Sequence, residues 1–274
     1  MATDPRTAIP PLDIERFRDC ALELADEARN QLCVLHATAF EVKRKSDGSY
    51  VTSADVEIEQ RLRAIIERRF PEHGIIGEEL PARAPQAEFQ WILDPIDGTE
   101  DFVQHMPTFG TIIGLHYRGE PVVGVTDVPL LDLRAHAAFG LGAFDQNGRL
   151  RLTDLAPGVS PAQTRLMLSA RANFISHGDD GYRFDLVTRH YPNHRIYRSC
   201  YAHLCVARGQ ADAMVEHGNK LWDLAAVRIL IEEAGGTYQM TQHLSTPSGP
   251  VLGAIFGKPS VVTKLLALLS EASG

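Results

Sequence analysis

The sequence predicts an α+β protein whose second half is a layered α/β arrangement, and three patterns carry that expectation. Apolar residues recur at helical spacing through the first 70 residues, strand-like segments dominate from about 75 to 155, and strands alternate with helices beyond Pro157-Gly158. The change of texture divides the chain into an N-terminal α+β half, 1–157, and a C-terminal α/β half, 158–274.

The elements follow in order. After Pro10-Pro11, residues Phe17, Ala21, Leu24, Ala28 and Leu32 line one face of an amphipathic helix that runs to about Leu35. A second helix starts near Ser53 and ends before Pro71, with Ile58, Leu62, Ile65, Ile66 and Phe70 turned inward. His73-Gly74 leads into a short strand, Ile75-Ile76, which ends at Gly77-Glu78-Glu79. Phe89 to Leu93 reads as a buried strand stopped by Asp94-Pro95. Thr111–Tyr117 and Pro121–Val125 flank Arg118-Gly119-Glu120 as a hairpin, and Asn147-Gly148 marks another tight turn. In the second half, strands at Arg165–Ser169 and Ala213–Glu216 alternate with helices at Gly181–His190, Tyr201–Ala207 and Leu224–Ala234. Gly235-Gly236 stops the last of these.

Composition narrows the function classes. The formal net charge is −8, from 27 Lys plus Arg against 35 Asp plus Glu, so electrostatic binding of nucleic acid or anionic membrane is disfavoured. On the same reasoning a phosphorylated substrate looks unfavourable, unless bound cations reverse the local sign. The four cysteines, Cys20, Cys33, Cys200 and Cys205, form no CxxC pair and no disulfide framework, and a cytoplasmic protein is expected. No apolar run reaches the roughly 18 residues that span a bilayer.

Four acidic clusters carry the chemistry: Asp55, the pair Glu78-Glu79, Asp94-Pro95-Ile96-Asp97-Gly98-Thr99, and Trp222-Asp223. In the third, two carboxylates three residues apart follow a buried strand on a turn stiffened by Pro95. Such a turn can aim both side chains and a backbone carbonyl at one point, the set of hard oxygen donors that Mg²⁺ requires. Gly98 permits close backbone approach, and a helix beginning at Thr99 offers free N–H groups to an anion. Each cluster also has an ordinary structural reading. Thr52-x-x-Asp55 is a capping box, Asp223 sits where a helix N-cap is expected, and Glu78-Glu79 fits a solvated loop. Their joint occurrence, each at a strand end or helix start, favours the metal site.

In this order and spacing the clusters resemble the inositol monophosphatase family of metal-dependent phosphatases, which includes histidinol-phosphate phosphatases and relatives of fructose-bisphosphatase. The likeness runs from Lys45-Ser46-Asp47-Gly48-Ser49-Tyr50-Val51-Thr52-Ser53-Ala54-Asp55 through Gly77-Glu78-Glu79 and Asp94–Thr99 to Glu216, Trp222-Asp223-Leu224-Ala225-Ala226 and Glu232-Glu233-Ala234-Gly235-Gly236. It implies an αβαβα layered sandwich of the fructose-bisphosphatase/inositol-monophosphatase type, commonly a homodimer. It further implies a Mg²⁺-dependent phosphomonoesterase acting on a small-metabolite phosphate ester, inositol monophosphate or histidinol phosphate first. A bisphosphate phosphatase or a non-catalytic metal-binding member are the alternatives.

Carried over by position, Glu78, Asp94 and the carbonyl of Ile96 would hold a first Mg²⁺; Asp94, Asp97 and Asp223 a second; and a weaker third would lie near Glu78. Thr99, hydrogen-bonded to Asp55, would activate the attacking water, with Lys45 near the metals. Backbone N–H groups of Gly98 and Thr99 would grip the phosphate, and Ser169, Ser199 and Glu216 would contact the rest of the substrate.

Three stretches lean toward the histidinol-phosphate branch: Lys45–Gly48, Pro107–Thr111 and Cys200-Tyr201-Ala202. Ser199 stands where that branch usually has an aspartate, and Arg198 precedes it. Glu100 and Asp101 also depart from the family pattern; they are expected to face away from the phosphate or toward a third cation. Other phosphatase chemistries leave no trace, since there is no cysteine followed by an arginine at the required spacing, no Asp-x-Asp and no GxxxxGK loop.

Overall fold

A computed structural model describes residues 4–37, 41–44, 50–175, 180–246 and 249–271. The first helix, α1 (Pro11–His36), takes Pro11 at its first position, where the missing N–H costs nothing. A two-stranded ribbon, β1 (Val42–Arg44) and β2 (Tyr50–Thr52), leads into α2 (Ser53–Arg69). Helix α2 opens on the anticipated capping box: Thr52 Oγ1 accepts from the Ala54 N–H at 3.2 Å, and Asp55 Oδ2 accepts from the Thr52 N–H at 2.7 Å.

The first sheet is built from β3 (Gly74–Gly77), β4 (Phe89–Asp97), β5 (Gly110–Tyr117), β6 (Glu120–Val128), β7 (Leu133–Ala138), β8 (Gly142–Asp145) and β9 (Gly148–Arg149), in that spatial order. Only the β3–β4 pair is parallel among these neighbours. Arg118 and Gly119, at φ 50° and 84°, make the tight turn of the expected β5–β6 hairpin. Between β4 and β5 lies the short helix α3 (Thr99–Val103).

Strand β4 does not stop at Asp94-Pro95. It continues to Asp97 across a register shift between Asp94 and Asp97. The shift removes the need for an N–H at Pro95, whose carbonyl instead accepts from Thr111 Oγ1 at 2.9 Å.

The second sheet comprises β10 (Leu166–Leu168), β11 (His194–Ile196), β12 (Ala213–Asn219), β13 (Thr237–Thr246) and β14 (Gly249–Gly257), ordered β11-β10-β12-β14-β13. Its β10 pairs parallel with β11 and β12, as the α/β alternation anticipates; the β12–β14 and β13–β14 pairs are antiparallel. The remaining helices are α4 (Arg171–Ile175), α5 (Tyr182–His190), α6 (Cys200–Ala207), α7 (Val227–Glu233) and α8 (Pro259–Glu271).

Helices and sheets alternate as layers, each joined to the next by its own apolar core. Helices α1 and α2 cover one face of the first sheet through Leu24, Ile58, Leu62 and Trp91. Helices α6 and α7 lie between the sheets, where Leu204, Val206, Ile229 and Leu230 meet Ile112, Met214 and Phe256. Helices α5 and α8 cover the far face of the second sheet through Val187, Val262, Leu265 and Ile255. Helix α6 has no exposed residue because both of its faces are covered. The middle layer joins the two sheets, and the acidic clusters collect beside it.

Candidate active site

Five parts of the chain converge on a cavity of about 380 Å³ lined by Glu78, Asp94, Ile96, Asp97, Gly98, Thr99, Arg198 and Asp223, with Arg44, Tyr50, Glu100 and Asp101. Asp94, Asp97 and Asp223 each bring a carboxylate oxygen within 4.8 Å of the others. The β4 register shift places Asp94 and Asp97 together, although in a regular strand residues three apart face opposite ways. Gly98 follows at φ 77°, a conformation glycine reaches without strain, and turns the chain straight into α3.

The third carboxylate comes from the other sheet's side. Asp223 lies in a turn before α7, which starts only at Val227, so it is not the N-cap anticipated from sequence. Its Oδ2 accepts from the Lys220 N–H at 2.9 Å and from Arg198 Nη2 at 2.7 Å. A contact from Asp97 links the two sides: its Oδ2 accepts from the Cys200 N–H at 2.5 Å, at the start of α6.

The donor set fits a hard divalent cation. Asp94 is 2% exposed, and its Oδ1 accepts no hydrogen bond among the described residues. Burial, followed by repulsion from Glu78, Asp97 and Asp223, pushes Asp94 well above the ordinary carboxylate range. Burial and Asp223 raise Asp97 to about 6, against the opposing Cys200 N–H bond. Such a cluster binds protons or cations, and all-oxygen ligation selects Mg²⁺-like ions over thiophilic ones.

Thr99 and Asp55 meet at the cavity edge. Thr99 Oγ1 lies 3.4 Å from Asp55 Oδ1 and 3.0 Å from the Ile96 carbonyl oxygen. Asp55 Oδ2 is occupied by the Thr52 N–H and by Thr52 Oγ1 at 2.6 Å, which orients Oδ1 toward Thr99. Helix capping and positioning of Thr99 are therefore the work of two oxygens of one carboxylate.

The structure also reveals a residue that sequence reading passed over. Glu59 is fully buried and accepts from the Glu79 N–H at 2.8 Å and the Leu80 N–H at 3.3 Å, while Arg63 pairs with it at 2.8 Å. A Cβ on Gly77 would stand 2.1 Å from Glu59 Oε1, so only glycine admits this carboxylate beneath the loop that carries Glu78. The clue in the sequence is an acidic residue on an otherwise inward helix face next to Ile58 and Leu62.

The three residues anticipated around the leaving group are placed differently from the metal-side set. Ser169 is fully buried, with Oγ accepting from the His217 N–H at 2.9 Å. Ser199 caps α6, its Oγ accepting from the Tyr201 N–H at 3.3 Å. Glu216 is 1% exposed and pairs with His203 Nε2 at 3.0 Å. Burial opposes charge on His203, but Glu216 offsets it and leaves the imidazole raised. None of the three borders the cavity described above.

Glu100 and Asp101 do border it, so of the two expectations for them, facing away or facing a third cation, the first is not met. Asp101 Oδ2 accepts from Thr108 Oγ1 at 2.7 Å and Tyr197 OH at 2.6 Å, and Glu100 Oε1 accepts from Gln104 Nε2 at 3.1 Å. Lys45 lies outside the described residues.

The sequence model of the inositol monophosphatase family matches residues 13–267. Histidinol-phosphatase of Chlorobaculum parvum is 33% identical over 225 residues, covering 79% of this chain and 82% of that protein. Bifunctional phosphatase IMPL2 of Arabidopsis thaliana, chloroplastic, is 31% identical over 227 residues, covering 82% of this chain but 64% of its own length. The inositol monophosphatase structure from Anabaena (Nostoc) sp. PCC 7120 superposes with a TM-score of 0.77 at 28% identity, covering 94% of this chain and 97% of that one. The layered fold, the ordered acidic motifs and these relatives agree: the chain belongs to the inositol monophosphatase family of phosphoric monoester hydrolases.

Proposed function

We propose that the chain hydrolyses phosphate monoesters of small metabolites with Mg²⁺, using two or three ions held by Glu78, Asp94, the Ile96 carbonyl, Asp97 and Asp223. The convergence of three carboxylates within 4.8 Å beside the Thr99–Asp55 pair is the observation that carries this reading. Bound there, Mg²⁺ supplies positive charge that offsets the phosphoryl oxygens and lowers the pKa of water.

The chain's own residues do the rest. Thr99 Oγ1 can accept a hydrogen bond from the attacking water while its own proton points to Asp55 Oδ1 or the Ile96 carbonyl. Asp55 is the proton acceptor at the end of that relay, and its second oxygen is held by Thr52. The Gly98 and Thr99 backbone is proposed to orient the phosphate. Burial of Asp94 excludes bulk water from the floor of the site. Cys200, buried and with its thiol pushed well up by burial and Asp97, takes no nucleophilic part.

A homodimer and a role for Lys45 beside the metals are proposed from the family resemblance, and a cytoplasmic setting from the scattered cysteines. The testing experiment is phosphate release from a panel of small phosphate esters with Mg²⁺ or with chelator, for wild type and Asp94→Asn. Mg²⁺-dependent release lost in the variant is expected. Background release by both proteins across the panel would leave the non-catalytic, metal-binding reading.

A further inference from the structure

We infer that Arg198 selects the substrate, favouring phosphate esters whose alcohol part carries a second anionic group, a carboxylate or another phosphate. The inference rests on the phosphomonoesterase reading and names the substrate class of the same site.

Arg198 borders the cavity with its side chain 35% exposed, yet it is not a free surface arginine. Its Nε donates to Asn219 Oδ1 at 2.9 Å and its Nη2 to Asp223 Oδ2 at 2.7 Å, and Asn219 is 1% exposed. Two anchors on two elements, β12 and the turn before α7, fix the plane of the guanidinium. Nη1 forms no hydrogen bond among the described residues, so one end of the fork, with two N–H donors, is left for a ligand. A pre-positioned guanidinium loses little side-chain entropy on binding, and an oxyanion is the partner it matches best.

The other leaving-group candidates are already engaged. Ser169 and Ser199 oxygens accept backbone N–H groups, and Glu216 is paired with His203. The pairing spends the Glu216 charge that would otherwise repel an anion or attract an amine. Asp101, another acid lining the cavity, accepts from the Thr108 and Tyr197 hydroxyls. An ammonium group would therefore meet the Arg198 cation, whereas a carboxylate or phosphate would complete its fork.

The test compares wild type and Arg198→Gln on four Mg²⁺-supported substrates: fructose 1,6-bisphosphate, 3-phosphoglycerate, inositol 1-phosphate and histidinol phosphate. The readout is the ratio of kcat/KM on each anionic ester to that on inositol 1-phosphate, because any loosening of Asp223 lowers both terms together. Wild type is expected to favour one or both anionic esters over histidinol phosphate. Arg198→Gln is expected to lower the anionic-to-neutral ratio about tenfold or more, mainly through KM. The two anionic arms distinguish a phosphate from a carboxylate. An unchanged ratio, or a wild type that prefers histidinol phosphate, overturns the inference. If no ester releases phosphate, the phosphomonoesterase reading fails separately. Calorimetric binding of the same four compounds then decides Arg198, with equal affinities in wild type and variant counting against it.

Discussion

The buried carboxylate of Glu59 holds the backbone of Glu79 from beneath, accepting its N–H at 2.8 Å. The residue that presents Glu78 to the cavity is thus fixed by an acid on α2 rather than by its own strand. Removing one member of a buried pair leaves the other, Arg63, without its charge partner. Glu59→Ala is expected to cost about 3–5 kcal/mol in denaturant unfolding. Glu59→Gln keeps an acceptor and is expected to fold, with Mg²⁺ affinity weakened roughly 10- to 100-fold, read by calorimetric titration.

Asp94 should oppose stability when no cation is bound and support it when one is. Its carboxylate is buried against Glu78, Asp97 and Asp223. Asp94→Asn is expected to melt at a higher temperature than wild type in chelator, since a buried repulsive charge is removed. Wild type should gain about 2.7 kcal/mol at a metal concentration a hundred times its Kd, and the variant should gain little. Thermal melts with Mg²⁺ and with chelator check both halves. A wild type indifferent to Mg²⁺ would contradict the assignment.

Thr99→Ala separates chemistry from folding, because the capping contacts of Asp55 do not involve Thr99. The expected result is a kcat roughly 100- to 10,000-fold lower with KM and melting temperature little altered. Asp55→Ala should show the same loss of kcat plus about 1 kcal/mol of destabilisation from the broken cap. A Thr99→Ala enzyme of near-normal kcat would remove Thr99 from the proton relay.

His73 predicts an acid-sensitive step in stability remote from the site. Its ring is packed between Phe70 and Phe89, its Nδ1 accepts from Trp91 Nε1 at 3.1 Å, and burial lowers its pKa from 6.5 to about 4. Between those values the unfolded chain binds a proton that the folded chain does not. The contribution is therefore complete above about pH 6.5, declines as pH falls toward 4, and changes no further below. In urea unfolding across that range, His73→Gln, which retains an acceptor for Trp91, should flatten this part of the profile. A profile as steep as that of wild type would assign the effect to other groups.

Much of this protein was determined by local sequence. The apolar spacing of α1 and α2, the Arg118-Gly119 turn and the Asp94–Thr99 motif depend on neighbours close in the chain, and each acts through backbone preference or a single face. The order of the acidic motifs was likewise readable, and with it the family. The path of β4 beyond Pro95 was not, because a register shift depends on the strand opposite.

The partners of the three residues expected around the leaving group were decided only by tertiary structure. Ser169, Ser199 and Glu216 are plausible substrate contacts in a linear chain, but folding gives each an internal partner: the His217 N–H, the Tyr201 N–H and the His203 ring. Arg198 reads as a surface residue until Asn219 and Asp223, 21 and 25 positions away, clamp it at the cavity. Glu59 reads as a helix acid until Gly77 and Glu79 close over it. A sequence displays which groups can carry charge or donate a hydrogen bond. Which of them are already satisfied depends on long-range packing, because a buried polar group takes the partner that the fold brings to it.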